Sequence, residues 1–256
     1  MIRNFIENIG LKTINFLIST YDIFQFFVKC IFNIFSTNSY NKTTIKQIYY
    51  TSITILPLFI TITFFIGFVI NAIIISLASQ YSLQDNVGSI LFIFIIEFAP
   101  LFITFLIALR SGIVINTKIA LMKSSGKLDS LISKNINIFH TIIAPKIISS
   151  IVSVLSLTIL FVFIFFISGY IFTMYNMHMD TYNYSFLLFN AIEMKTILFL
   201  VVKTIIFGFI SMSIPIYYGL QTTSDDKSIP IYVSKGIIRL FIVLFVFELL
   251  SLLIIL

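Results

Sequence analysis

Two charges stand inside an otherwise apolar run, EFAPLFITFLIALRSG, which opens on Glu97 and carries Arg110 near its end. An ionised carboxylate about ten residues inside a membrane-length helix costs on the order of 3 kcal/mol or more. Glu97 therefore faces a partner, a cavity or a bound polar head group, or it is a packing carboxyl bonded to a neighbouring helix. Pro100, three residues on, lacks a backbone N–H and loosens the helix beside it. Arg110 follows Glu97 by thirteen residues, roughly 20 Å along a helix, so the two do not pair within one helix. Close to the end of the run, Arg110 either serves a site or snorkels to the interface as an anchor. Gly112 beside it permits close helix approach.

Other charges are sparser. Lys203 opens a later apolar run and is expected to snorkel, and Glu248 sits eight residues from the last residue and is expected at an interface. Between residues 121 and 141, Leu128, Leu131 and Ile132 fall at i, i+3 and i+4, with Ile136 continuing the stripe. Lys127, Asp129, Ser130 and Lys134 fill the other face, so a short amphipathic helix is expected. It either lies on the membrane surface or docks into a groove of a cytosolic partner. Cys30 is the sole cysteine, and His140 and His178 have no ligand-like company, so no metal site is expected. The sequence holds no Walker motif and no nucleophile–base constellation. No catalytic residue is therefore assigned, and any energy source comes from another subunit or from a gradient.

Composition says what positions these residues. The 256-residue chain is 59% hydrophobic and 10% charged, whereas a soluble domain carries about 25% charged residues. It cannot cover itself with polar surface and is read as an integral membrane protein. The net charge of +6 lies between apolar runs, which suits topology signals rather than a nucleic-acid partner. Five spans are expected, over Ile53–Ala78, Val87–Thr117, Ile142–Thr173, Thr196–Leu220 and Ile229–Leu256. Before them, Ile2, Phe5, Ile6 and Ile9 fall on one helical face, and residues 14–35 are apolar but broken by Asp22, Gln25, Lys29 and Asn33. This reads as an interfacial helix, with a short extra span as the alternative. Residues 36–47 are expected as a polar link. Lysines concentrate in the segments on the N-terminal side of the membrane, and the outer loop 174–195 carries Tyr175, Tyr182 and Tyr184 as an aromatic belt would. The orientation is then N-in, C-out.

From Glu97 to Lys146 the sequence resembles the MlaE (YrbE) family of ABC-transporter permeases, which includes plastid-encoded members. Glu97, Pro100, Ala108, Arg110, Gly112, Met122, Lys123, Asp129, Leu131 and Pro145 stand at the family's signature places. Gly67 resembles its first-span glycine, and Lys203 with Phe207-Gly208 resembles its K-S-x-x-F-G pattern. Departures fall at Ile96, where the family has arginine, at Lys118, where it has glutamate, and at Gly126-Lys127, where it has Glu-Gln. Ser224–Lys227 replaces its Gly-Gly region.

The resemblance implies an all-α membrane fold of five transmembrane helices with a cytosolic coupling helix, a permease domain over 48–256 that follows the N-terminal amphipathic interfacial segment 1–47. It implies a lipid transporter that works as a homodimer with ABC ATPase subunits, which bind the ATP, and with an MCE-domain lipid-binding protein. Glu97, Pro100 and Gly67 would border the lipid pocket. Met122, Lys123, Leu128, Asp129, Leu131 and Ile132 would form the coupling helix. Arg110, Gly112, Pro145, Lys203 and Gly208 would serve as anchors or structural positions. The alternative is a non-transporting assembly subunit derived from such a permease. A gradient-driven carrier is disfavoured because the spans show one deep acid. Residue usage rich in Ile, Phe, Asn, Lys and Tyr and without Trp resembles an AT-rich genome. The expected location is a plastid inner envelope or otherwise a bacterial inner membrane.

Overall fold

In hydrocarbon every backbone N–H and C=O must be satisfied within the segment, which favours helices for runs of this kind. The computed structural model describes residues 21–33, 41–175, 180–223, 225 and 227–255, and every regular element among them is helical. In chain order these are α1 (residues 21–33), α2 (Asn41–Ser52), α3 (Leu56–Gln80), α4 (Val87–Ile107), α5 (Ile113–Ser124), α6 (Lys127–Ser133), α7 (Ala144–Tyr175), α8 (Thr181–Ala191), α9 (Met194–Leu220) and α10 (Ser228–Ile255). Five continuous helical stretches are long and apolar enough to cross a membrane: Thr44–Gln80, Gln84–Ser124, Phe139–Tyr175, Met194–Leu220 and Ser228–Leu253.

The stretches containing α4 and α9 are half buried, against 28% and 22% for those containing α3 and α10. The first pair therefore forms the centre, and the second pair presents Leu58, Phe65, Val69, Phe245 and Leu249 outward. Between them α7 packs on both α3 and α9. Lipid tails are as apolar as leucine, so close packing and polar joints hold such helices together. At Gly208 of α9, an added Cβ would lie 2.7 Å from the Ile151 Cα of α7. Beside it the Ser150 and Ser211 hydroxyls share a 2.5 Å hydrogen bond, and Ser52 Oγ donates to Ser153 Oγ at 2.6 Å. Phe94, Phe98 and Phe102 stack at four-residue intervals along α4, with centroids 4.9 and 5.4 Å apart, against Phe161 and Phe165 of α7.

Several boundaries differ from the sequence reading. The part of the polar link from Asn41 onward is helix α2, because Thr44, Thr51 and Ser52 recur on a buried face, with α7 against it. The second span continues to Ser124 as a 41-residue helix, about 60 Å long, or roughly twice the hydrocarbon thickness. A π segment at Ala108–Gly112 carries it past Arg110, and a second π segment, Phe139–Ile143, leads into α7. The tyrosine-rich loop expected over 174–195 contains helix α8. Its Tyr184 is buried rather than belted at the surface. Burial pushes the Tyr184 phenol above its ordinary range. Its hydroxyl donates to Asn71 Oδ1 at 2.9 Å, and Asn71 Nδ2 donates onward to the Gly67 carbonyl at 2.7 Å.

Of the segment 14–35, residues 21–33 are described and form helix α1. Phe26 packs on Phe139 and Tyr217, and Phe27 meets Phe209 edge-on at 5.4 Å. Cys30 is buried beside them, which pushes its thiol up to about 12. The stripe read at Ile2–Ile9, His178, and Ser224 and Asp226 lie outside the described residues.

Candidate functional site

Three charged side chains from three helices meet inside the bundle. Lys203 of α9 donates from Nζ to Glu97 Oε2 of α4 and to Glu248 Oε1 of α10, the latter at 3.1 Å. Ser251 Oγ, one turn beyond Glu248, donates to the same Glu97 oxygen at 3.1 Å. The three charged side chains are 3%, 14% and 11% exposed for Lys203, Glu97 and Glu248. Phe207 lies 5.9 Å from the ammonium and covers one flank. Burial on this scale is tolerated only where charges are paired and hydrogen-bonded.

Lys203 and Glu248 thus correct the sequence reading. Lys203 does not snorkel and Glu248 is not interfacial. Lys203 lies nine residues into α9, Glu97 ten into α4 and Glu248 seven from the end of α10. At 1.5 Å per residue these are about 14, 15 and 10 Å from the same end of the bundle. Matched depth lets opposite charges neutralise each other, which costs less than dragging each to water. The count of one deep acid also changes to two.

Two carboxylates share one ammonium, so the group carries an excess of acid. Among the described residues, Glu97 Oε1 and Glu248 Oε2 are buried with no hydrogen-bond partner. The arrangement locks α4, α9 and α10 together while leaving acceptors that a displaced helix or a polar ligand would satisfy.

The other expected pocket residues have different neighbours. An added Cβ at Gly67 would collide with Ser168 Oγ and lie 3.2 Å from the Phe165 Cα, so this glycine admits α7 rather than facing Glu97. Pro100 is buried in α4, and its carbonyl accepts from Thr104 Oγ1 at 2.6 Å. Gly112 is not a close-approach position, because a methyl there would meet its nearest neighbours at an ordinary 3.7 Å. Gly208, like Gly67, has that role. Pro145 is buried at the start of α7, directly after the π segment Phe139–Ile143. Arg110 is exposed and donates from Nη1 to the Thr54 carbonyl at 2.7 Å, at the 3₁₀ segment Ile53–Ile55 that joins α2 to α3.

Where the sequence reading placed one helix over 121–141, the structure has a corner. Met122 and Lys123 end α5, Gly126 turns the chain at φ +68°, and α6 runs only from Lys127 to Ser133. Leu128 is buried and fastens α6, Leu131 is half-buried, and Ile132 and Asp129 are exposed. Lys123 Nζ and Asp129 Oδ1 close the corner with a 2.9 Å ion pair.

Comparison with known proteins agrees with this architecture. The profile of the family described as "Permease MlaE" matches residues 44–254, a range that holds the charged triad, the corner and all five spans. A "Probable ABC transporter permease protein" of Rickettsia felis is 23% identical over 230 residues, covering 90% of this chain and 89% of the relative. A protein of the same description from Rickettsia bellii is 24% identical over 230 residues, with the same coverage. One from Rickettsia prowazekii is 23% identical over 224 residues and covers 86% of each chain. The chain belongs to the MlaE permease family: it is an integral membrane permease of the ABC-transporter type and not itself an enzyme.

Proposed function

We propose that this permease moves a phospholipid-like molecule, powered by ATP that a separate ABC ATPase subunit binds and hydrolyses. The observation that carries the reading is the α5–α6 corner. A stiff helix leaves the apolar zone, turns at Gly126 and ends in a short helix whose Asp129 and Ile132 face outward. Such a corner suits docking into a cleft of a partner, and α5 is continuous with α4, which carries Glu97. Movement of the corner is thereby linked to the charged triad. The permease unit is residues 48–256, with 1–47 as an amphipathic addition, and the chain is N-in, C-out.

In this reading lipid sits between two copies of the chain, at the half of the bundle that holds Glu97, with Pro100 and Gly67 on the bordering helices. An MCE-domain protein hands lipid to or from that pocket. The membrane is a plastid inner envelope or a bacterial inner membrane, and the bacterial relatives support the second.

Affinity purification from native membrane tests this reading. Wild type should carry an ATPase, and Asp129→Arg or Ile132→Arg should lose it. Normal ATPase recovery with both variants would remove the docking role. Glu97→Ala should lower the lipid bound to the purified complex. In the reconstituted complex, an ATPase rate indifferent to lipid would instead favour an assembly subunit derived from a permease.

A further inference from the structure

We infer that a cationic cavity of this protein holds a phosphate group, supplied by an anionic phospholipid headgroup. The cavity has a volume of about 360 Å³ and is lined by residues of α2, the Ile53–Ile55 turn, the π segment, α5 and α7. Arg110, Lys118 and Lys146 all contribute to it, with the polar side chains of Gln47, Thr51 and Thr54, and no Asp or Glu is among the lining residues. Arg110 uses one N–H on the Thr54 carbonyl, and a guanidinium has five. Lys146 is 9% exposed, so its charge is held beside the other two with no acid among the described residues that line the cavity. Like charges crowded in a partly dry site repel. An anion that accepts from a guanidinium and two ammonium groups relieves that repulsion, and phosphate fits this donor set.

Position selects the source. Arg110 follows Val87, the start of α4, by twenty-three residues, about 35 Å of helix. It therefore lies at the opposite headgroup layer from the start of α4, and far from the charged triad. Tyr50 and Val114, which also line the cavity, are exposed apolar side chains. Exposed side chains of this kind at the rim suit a lipid that reaches the cavity without leaving its leaflet. Lys118 completes the cationic set, and the family signature has a glutamate there. The inference rests on the membrane-spanning reading and not on the identity of the transported molecule.

The test uses the full chain in nanodiscs of phosphatidylcholine alone, of phosphatidylcholine with phosphatidylglycerol in equal parts, and of phosphatidylcholine with added inorganic phosphate. Native mass spectrometry counts retained lipid, and thermal unfolding reports stabilisation. Wild type should retain phosphatidylglycerol over phosphatidylcholine. Lys118→Glu, which removes a cation and adds an acid, should weaken that preference by about tenfold or more. Lys146→Gln should weaken it less, and both variants should keep the wild-type helical content by circular dichroism. Should Lys118→Glu misfold, Lys118→Gln carries the same test with a smaller expected loss. No preference in wild type, or a preference unchanged in both Lys118→Gln and Lys146→Gln, overturns the inference. Stabilisation by inorganic phosphate with no gain from phosphatidylglycerol overturns the lipid source and assigns the site to a soluble phosphate. Because ATPase recovery reads the α5–α6 corner, failure here and failure of the transport reading are separable.

Discussion

Two groups of three charges stand in this bundle, and they solve the same problem in opposite ways. Glu97, Lys203 and Glu248 mix signs, are nearly sealed and satisfy one another across three helices. Arg110, Lys118 and Lys146 share one sign and line an open cavity. The first group is an internal joint, with its counter-charges supplied by the fold. The second has no acid among its lining residues, and in the inference above its counter-charge comes from outside the chain. A charge inside a membrane protein therefore reveals little alone; the signs of its neighbours at the same depth decide whether it holds helices together or binds a ligand.

Removing the lysine from each group is the sharpest way to break this contrast. Lys203→Met leaves two carboxylates buried without a cation and should cost about 3–5 kcal/mol, read as reversible SDS unfolding in mixed micelles. A loss under about 1 kcal/mol would mean the triad is not a joint. Glu97→Gln should cost less, about 1–2 kcal/mol. Lys203 then retains Glu248, and the amide oxygen still accepts from Ser251.

An uncharged joint gives the next smaller effect. Tyr184→Phe removes the donor to Asn71 Oδ1 and leaves that buried oxygen unpaired, for a loss of about 1–3 kcal/mol. It also carries a pH signature. Burial raises the phenol's folded pKa above its unfolded value of about 10. Its contribution is thus fully present below that pH, and it declines as pH rises from there toward the folded pKa. The difference between wild type and Tyr184→Phe should stay flat through neutrality and shrink in alkali. A constant difference up to the alkaline limit would place the hydroxyl in contact with water.

Much of this was legible in the sequence. Composition and run length mark five spans, and the order of Glu97, Arg110, Gly112 and Asp129 points to the family. Less legible were pairings between distant segments. Lys203 and Glu248 were each read alone as charges near a helix end, although both lie at the depth of Glu97 counted from one face. The depth was available by counting, and the neighbour relation was not, because nothing local fixes which helices meet. Tyr184 was missed for a related reason: a polar loop with tyrosines looks interfacial until Asn71 of α3 supplies a buried acceptor. Hydropathy also placed the end of the second span too early. It stops counting at Lys118, whereas the helix persists to Ser124 because the backbone bonds continue through the π segment without regard to polarity.

The smallest effect is the most discriminating. Lys118→Gln removes a cation as Lys203→Met does, yet in phosphatidylcholine alone it should leave stability unchanged or raised, by less than about 1 kcal/mol. Lys118 is exposed, has two cations and no acid beside it among the cavity residues, and its loss relieves repulsion screened by solvent. Adding phosphatidylglycerol should reverse the order, with wild type gaining and Lys118→Gln gaining less, measured as the shift in Tm between the two lipid mixtures. If Lys118→Gln destabilised the protein in the neutral lipid as Lys203→Met does, the cavity would hold a counter-charge from the protein, and the contrast between the two groups would collapse.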